Sequence, residues 1–221
     1  MRQLHLPMRV WDAPIRLFHW AIVILIFVSW LTQRQGWMEL HMLSGYSMLT
    51  LLLFRIVWGF IGSDTARFSR FLKSPLAALR HLAHLRRREP DLEIGHNAAG
   101  GWMVLAMLGL LAAQVATGLC ANDDILAEGP LADFVGKEQS DWLTRLHGLN
   151  FMAIQLTILA HVVVIALYYL LKGQNLVKPM ITGKKRLPGA MPAPRMVHPV
   201  LAVGVLGIAA GAVALFVRLA S

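Results

Sequence analysis

The sequence predicts an all-α membrane protein, with a four-helix transmembrane bundle and a fifth, C-terminal transmembrane helix. Of the 221 residues, 57% are hydrophobic and only 15% are charged, and the mean hydropathy is +0.56. A soluble domain of this length is far less apolar. Five apolar segments, at about 15–33, 40–61, 99–120, 145–171 and 197–217, approach or exceed the roughly 20 helical residues that cross a bilayer core.

The distribution of basic residues predicts the orientation of these segments. Residues 1–16, 67–95 and 172–196 together hold 16 of the 21 Lys and Arg residues. The positive-inside rule therefore places the N-terminus and both basic loops in the cytoplasm, and five spans place the C-terminus on the opposite side. Topology and anionic membrane lipid account for the net charge of +9, so no nucleic-acid partner is expected.

The first two spans have recognisable starts. Asp12 followed by Pro14 is typical of a helix N-terminus. The first span lacks a small-residue cleavage site and contains His19, so we interpret it as a retained span and not as a signal peptide. Gly36 and Trp37 mark a short outer turn before the second span.

The connecting segments differ in character. The basic stretch 74–95 predicts a short amphipathic helix on the membrane surface, with Leu76, Leu79, Leu82 and Leu85 at three-residue spacing. Residues 178–195 are rich in Pro and Gly and predict an irregular linker. We therefore divide the chain into a four-helix membrane domain at 1–180 and a linker with one further helix at 181–221.

The fifth span contains a G-x-x-x-G pattern at Gly207 and Gly211. This spacing suits close packing of helices and thus oligomerisation through the fifth helix. Gly and Ala are also common in membrane spans, so ordinary composition is an equal explanation.

The outer segment 121–142 is acidic and predicts a loop. It holds six of the twelve acidic residues and one base, Lys137. One interpretation is a solvated loop. The other is a docking surface for a basic redox partner, since opposite charges speed encounter.

Two histidines on the fourth span are the most informative pair. His147 and His161 are fourteen residues apart, so on an α-helix they lie within about 40° of one another and about 21 Å apart along the axis. One helix face therefore presents a strong metal ligand near each membrane surface. This arrangement suits two haems stacked across the bilayer.

Topology gives each of these histidines a partner on another helix. His41 near the outer end of the second span matches His147, and His19 near the inner end of the first span matches His161. Bis-histidine ligation of haem requires such pairs from facing helices. Taken singly, a histidine at a span end can simply be solvated, but one inside the apolar core is costly and usually functional. Gly45, one turn from His41, and Gly148 leave room for a porphyrin.

Charged residues near these pairs are candidate haem-propionate ligands. Arg55 lies well inside the second span and either neutralises an inner-haem propionate or extends to the membrane surface. Arg16 is a second candidate, followed by Arg67 and Arg145. Cys120 is the single cysteine, so iron is expected to be held by histidine. No catalytic residue is predicted.

The remaining polar residues have weaker assignments. His96 could cap the third span, bind a propionate or contact a quinone. A quinone pocket or simple helix packing would explain Gln114, Asn150 and Gln155. The other histidines lie in basic stretches and are predicted to be solvated: His5, His81, His84 and His198.

With these features together, the chain resembles bacterial cytochrome b561 and the b-type cytochrome subunits of nickel–iron hydrogenases. The resemblance covers about residues 9–180 and rests on RVWDAPIRLFHW, FRIVWGFIGSDTARF, HNAAGGWM, TGLCANDDILAEGPL and DWLTRLHGLNF. It implies two haems b, held non-covalently at the positions of His19, His41, His147 and His161. It also implies a bacterial inner-membrane location, with the C-terminus in the periplasm, and electron transfer between a partner and the quinone pool.

Three functions remain open at this stage. The first is an electron-transfer subunit that links a hydrogenase or a c-type cytochrome on the outer side to quinone. The second is a self-contained oxidoreductase that oxidises a small donor such as superoxide and reduces quinone. The third is a haem-free transporter that uses the histidines as a path.

Overall fold

The computed structural model of the chain describes residues 5–83, 92–125, 127–189 and 191–220. In chain order its elements are β1 His5–Arg9, α1 Ala13–Arg34, α2 Met38–Ile61, a 3₁₀ turn at Asp64–Ala66, α3 Phe68–Phe71, α4 Pro75–Ala83, α5 Ala98–Leu119, α6 Ala132–Val135, α7 Lys137–Lys172, α8 Val177–Thr182, β2 Lys184–Pro188 and α9 Pro199–Ala220. Five helices of the described chain, α1, α2, α5, α7 and α9, are long and apolar enough to span a membrane. The predicted all-α membrane fold is confirmed.

The fourth span begins earlier than the sequence predicts. Helix α7 starts at Lys137 and has 36 residues, so at 1.5 Å per residue it is about 54 Å long and exceeds the bilayer core. The ion pair between Lys137 and Asp141, one turn apart, supports this polar first turn. The prediction of a loop over 121–142 is therefore wrong for its second half, which forms α6 and the start of α7.

The segment after the fourth span is also more ordered than predicted. Residues 178–195, predicted as an irregular linker, contribute most of α8 and all of β2. Strand β2 pairs antiparallel with β1, from His5 opposite Pro188 to Arg9 opposite Lys184. Gly183 separates α8 from β2 with φ of 76°, a left-handed conformation that glycine adopts without a steric penalty.

The chain forms two compact units. The first unit comprises Met1–Leu17, Ile56–Ala106 and Ile158–Ala202, and the second comprises Phe18–Arg55, Met107–Thr157 and Val203–Ser221. A unit boundary falls within each of the five long helices, so each of these helices contributes residues to both units. The predicted division at residue 180 stays a prediction.

Within the first unit, Asp12 anchors the start of α1. Its carboxylate accepts hydrogen bonds from the backbone N–H of Ile15 at 2.8 Å and from Trp58 Nε1 at 3.1 Å. Asp12 and Trp58 are both buried. Asp12 is thus the predicted helix cap, and it also satisfies the indole N–H of a fully buried tryptophan.

The amphipathic helix predicted in the basic stretch is α4. Its Leu76 and Leu79 are exposed, which fits a helix that rests on a membrane surface. The predicted leucine repeat extends to Leu85, which lies outside the described residues, as does the predicted solvated His84.

Helix α9 has open space beside its glycines. A Cβ atom built on Gly207 or Gly211 meets nothing within 4 Å among the described residues. The G-x-x-x-G pattern therefore makes no close helix contact with the part of the chain that the structure describes, and oligomerisation through α9 stays a prediction.

Candidate functional site

His41 and His147 face each other in the second unit. Their ring centres are 6.2 Å apart and their planes are 81° apart. A metal–nitrogen bond to an imidazole is about 2 Å long, and the ring centre lies about 1 Å beyond the nitrogen. Two imidazoles that bind one metal ion from opposite sides therefore have ring centres about 6 Å apart. The separation therefore fits two imidazoles on opposite sides of one metal ion.

Backbone carbonyls fix the tautomer of both rings. His41 Nδ1 donates to the carbonyl of Ser29 at 2.9 Å, and His147 Nδ1 donates to the carbonyl of Gln114 at 2.9 Å. Because a carbonyl only accepts, each Nδ1 carries the hydrogen and each Nε2 keeps its lone pair. Metal-binding histidines are oriented by this type of bond.

The amide of Gln114 occupies one of the two lone pairs. Gln114 Nε2 lies 3.1 Å from His147 Nε2 and donates to it. Asn150 Nδ2 in turn donates to Gln114 Oε1 at 2.7 Å. Gln114 and Asn150, two candidates for a quinone pocket, thus form a hydrogen-bonded chain to a predicted haem ligand. Iron at His147 Nε2 requires the Gln114 amide to turn away.

The two histidines line a cavity of about 440 Å³, within the range of small-molecule sites. Gly45 and Gly148 also line it, and a Cβ atom on either would meet nothing within 4 Å. At Gly118 a Cβ atom would lie 2.9 Å from the ring of His147. A flat macrocycle fits a cavity with two opposed imidazoles and glycines in its wall, so the residues present fit haem.

One rim of the cavity is formed by the segment after α5, including Asp123 and Glu128. Asn122 Nδ2 holds this segment to α7 through Ser140 Oγ at 2.6 Å and Asp141 Oδ1 at 3.0 Å.

Several acids of this segment bond within the protein. Lys137 pairs with Asp124 and with Asp141, and Asp123 accepts from the backbone N–H groups of Ile125 and Ala127. Three of the six acidic residues in the predicted docking surface, Asp123, Asp124 and Asp141, therefore form bonds within the protein that stabilise this segment.

Cys120 lies directly after α5 and is partly buried. Burial raises the pKa of its thiol above the usual value, so the thiol stays protonated at neutral pH.

The other predicted ligands lie elsewhere on the long helices. His19 is half-buried on α1 and its ring contacts Trp20, with centres 4.9 Å apart. His161 is half-buried on α7. The pairing of His19 with His161 stays a prediction.

The two arginine candidates have different surroundings. Arg55 is 3% exposed, so its guanidinium is inside the protein and the interpretation that it extends to the membrane surface is wrong. Arg16 donates from Nη1 to the carbonyl of Ile181, which ties α1 to the end of α8. A propionate contact for either residue stays a prediction.

The structure excludes one predicted role for each of two further histidines. His96 does not cap α5, because Asn97 Oδ1 accepts from Gly100 N at 2.7 Å. The His96 ring instead contacts Trp11 and Phe71. His81 is not simply solvated, since its Nε2 lies 2.6 Å from the hydroxyl of the buried Tyr168. His198 is exposed, as predicted.

Comparisons with known proteins identify the family of this chain and one relative. The sequence profile of a family described as prokaryotic cytochrome b561 matches residues 10–183. A protein of Bradyrhizobium diazoefficiens named as a probable Ni/Fe-hydrogenase B-type cytochrome subunit is 22% identical over 215 residues, covering 80% of this chain and 85% of the relative. No solved structure matches the chain significantly.

Proposed function

Because the chain belongs to the prokaryotic cytochrome b561 family, we propose that it carries electrons through two haems b between a redox protein and the membrane quinone pool. Membrane electron transfer and haem b follow from the family and from the hydrogenase-subunit relative. The number of haems, their ligands, the partner and the quinone are the proposed part. The facing pair His41 and His147, 6.2 Å apart beside a 440 Å³ cavity, is the observation that supports it.

At the first site, His41 and His147 would hold the haem iron through their Nε2 atoms. Ser29 and Gln114 orient them through their backbone carbonyls, which raises the basicity of each Nε2 and limits ring rotation. The haem, when bound, supplies one-electron redox chemistry at its iron. The apolar cavity wall limits solvent access and thereby influences the reduction potential.

At the second site, we assign His19 and His161 as the ligands. The support is their predicted depth in the first and fourth spans and the fourteen-residue spacing from His147. Two sites about 21 Å apart along α7 divide the membrane thickness into shorter electron-transfer steps.

Arg55 is proposed as the counter-charge for a propionate of the second haem, since it is 3% exposed and an anion stabilises a buried guanidinium. We expect Arg55→Leu to lower the midpoint potential of one haem by tens of millivolts, because loss of a nearby cation disfavours the reduced form. Redox titration of the haem absorbance measures this shift. Arg55→Lys is the control and should retain most of the potential. Unchanged potentials in Arg55→Leu would place Arg55 away from both haems.

The proposed location is the bacterial inner membrane, with the N-terminus in the cytoplasm and the C-terminus in the periplasm. The charge distribution supports it, because the basic segments 1–16, 67–95 and 172–196 lie on one side of a five-span topology. The name of the relative supports a hydrogenase as the protein partner. A c-type cytochrome is an alternative electron donor. Oxidation of a small donor such as superoxide, with quinone as the acceptor, is a second candidate function.

A reduced-minus-oxidised absorption spectrum of the protein purified in mild detergent tests this function. We expect the α-band of a b-type haem. Its absence, together with absence of extractable haem, would favour the haem-free transporter. If the haem is present, turnover of the isolated protein with a small donor and quinone would favour the self-contained oxidoreductase over the electron-transfer subunit.

A further inference from the structure

Two large apolar side chains are exposed in the polar segment between α5 and α7. Ile125 is 81% exposed, and Phe134 in α6 is 75% exposed. The ion pair between Asp124 and Lys137 holds the turn that carries Ile125 against the first residue of α7. Helix α6 ends at Val135, two residues before that point. Both side chains therefore belong to one folded segment of the second unit, and we call them the Ile125–Phe134 pair.

The length of α7 places this pair outside the membrane. Residues 146–171 contain no Asp, Glu, Lys or Arg. At 1.5 Å per residue they extend about 39 Å, more than the roughly 30 Å of a bilayer core. Lys137 precedes this stretch by about 13 Å along the helix, which is more than the thickness of a headgroup layer. The exposed pair beside Lys137 therefore faces water and not lipid.

The same segment carries three exposed acidic side chains, Glu128, Asp133 and Glu138. The other three acids of residues 121–142 are bonded within the protein. These three form no side-chain hydrogen bond or ion pair with the part of the chain that the structure describes. The single base of the segment, Lys137, is already paired. The apolar pair is thus accompanied by three negative charges that the segment itself does not neutralise.

This combination determines what can cover the pair. An apolar centre with a polar or charged rim is the composition of a protein interface. The acids repel an anionic membrane surface, and a second copy docked on the same face would bring identical charges together. A basic protein is attracted, and its approach is accelerated. We propose that the Ile125–Phe134 pair and its three acids dock a soluble redox protein that presents Lys and Arg side chains around an apolar contact.

The position of this docking surface suits delivery of electrons to the first haem site. Glu128 is exposed and also lines the cavity of His41 and His147, together with the following Gly129 and Pro130. A docked partner therefore lies at the rim of that cavity. Each encounter would oxidise the partner by one electron and reduce the first site by one electron, which then continues to the second site. The proposal rests on the proposed function and assigns its protein partner to one surface.

Electron exchange with mitochondrial cytochrome c, a basic soluble protein, tests the proposal, since transfer in either direction needs the same docked complex. The haem-loaded protein is reduced with dithionite, freed of excess reductant and mixed with ferricytochrome c, whose iron accepts one electron from the haem. At low ionic strength we expect Asp133→Lys to lower the second-order rate constant about tenfold. The difference should disappear in about 0.5 M salt, which screens exposed charges. The rate with the anion ferricyanide should not fall.

Glu93→Lys is the matched control, because it makes the same change of net charge on a part-exposed residue of the first unit. It should leave the rate constant at the wild-type value. Phe134→Ala should raise the half-saturating cytochrome c concentration about fivefold, the loss of one contact residue. Equal rates in Asp133→Lys and Glu93→Lys, or a wild-type concentration in Phe134→Ala, would overturn the proposal.

The depth of residue 134 tests whether lipid covers the pair instead. A spin label on Phe134→Cys, in a Cys120→Ser background in bilayer nanodiscs, should be accessible to a water-soluble relaxation agent. A label shielded by lipid would overturn the proposal, as would a dimer that Phe134→Ala dissociates. If the wild-type protein holds no haem, the proposed function is refuted separately, and calorimetric binding of cytochrome c to the same variants still tests the surface.

Discussion

His147→Ala is expected to remove one of two haems and to leave the other in place. The alanine side chain offers no ligand, and a single remaining histidine, His41, holds iron on one side only. We expect the haem-to-protein ratio of the purified variant to fall to about half of the wild-type value. His41→Ala should have the same effect, because the two residues act on one site.

The double variant is the sharper form of this prediction. If His41 and His147 ligate the same iron, removal of both should cost no more haem than removal of either, since their effects are not additive. His198→Ala is the control, because His198 is exposed and outside the cavity. Loss of both haems in the double variant, with one lost in each single variant, would mean that the two histidines serve different sites.

Gly45→Leu is expected to block haem binding at the same site without unfolding the helix. The Cβ of residue 45 has open space around it, so a leucine side chain extends into the cavity that it lines. Its bulk would then compete with the macrocycle for the same volume. We expect about half of the wild-type haem content, with unchanged helix content by circular dichroism.

Gly109→Leu is the matched control for this substitution. Gly109 is also helical, also has nothing within 4 Å of a built Cβ, and does not line the cavity. Its haem content should remain at the wild-type level. Equal haem loss in both variants would indicate a general effect of leucine on helix packing, and normal haem content in Gly45→Leu would place the haem elsewhere.

The spans and the pair His41 and His147 are predictable from the sequence because their signals are strong. Apolar runs of about 20 residues have few alternative structures. His41 and His147 were paired by depth alone, and the structure brings their rings together. The predicted depth of a residue in the membrane does not indicate that Gln114 contacts His147, because this contact depends on the packing of α5 against α7.

The elements that sequence reasoning missed have weak local signals. Strands β1 and β2 are basic five-residue segments that are far apart in sequence, and their pairing is visible only in three dimensions. The first turns of α7 are polar, so a search for apolar runs places the start of that helix too late.

The proposed function requires that the chain holds two haems b through four histidines. Quantification of haem b as its pyridine complex, against protein determined by amino-acid analysis, tests this claim most directly. We predict two haems per chain in the wild-type protein and one in His161→Ala. A wild-type ratio of one, or an unchanged ratio in His161→Ala, would contradict the assignment of His19 and His161 as the second pair.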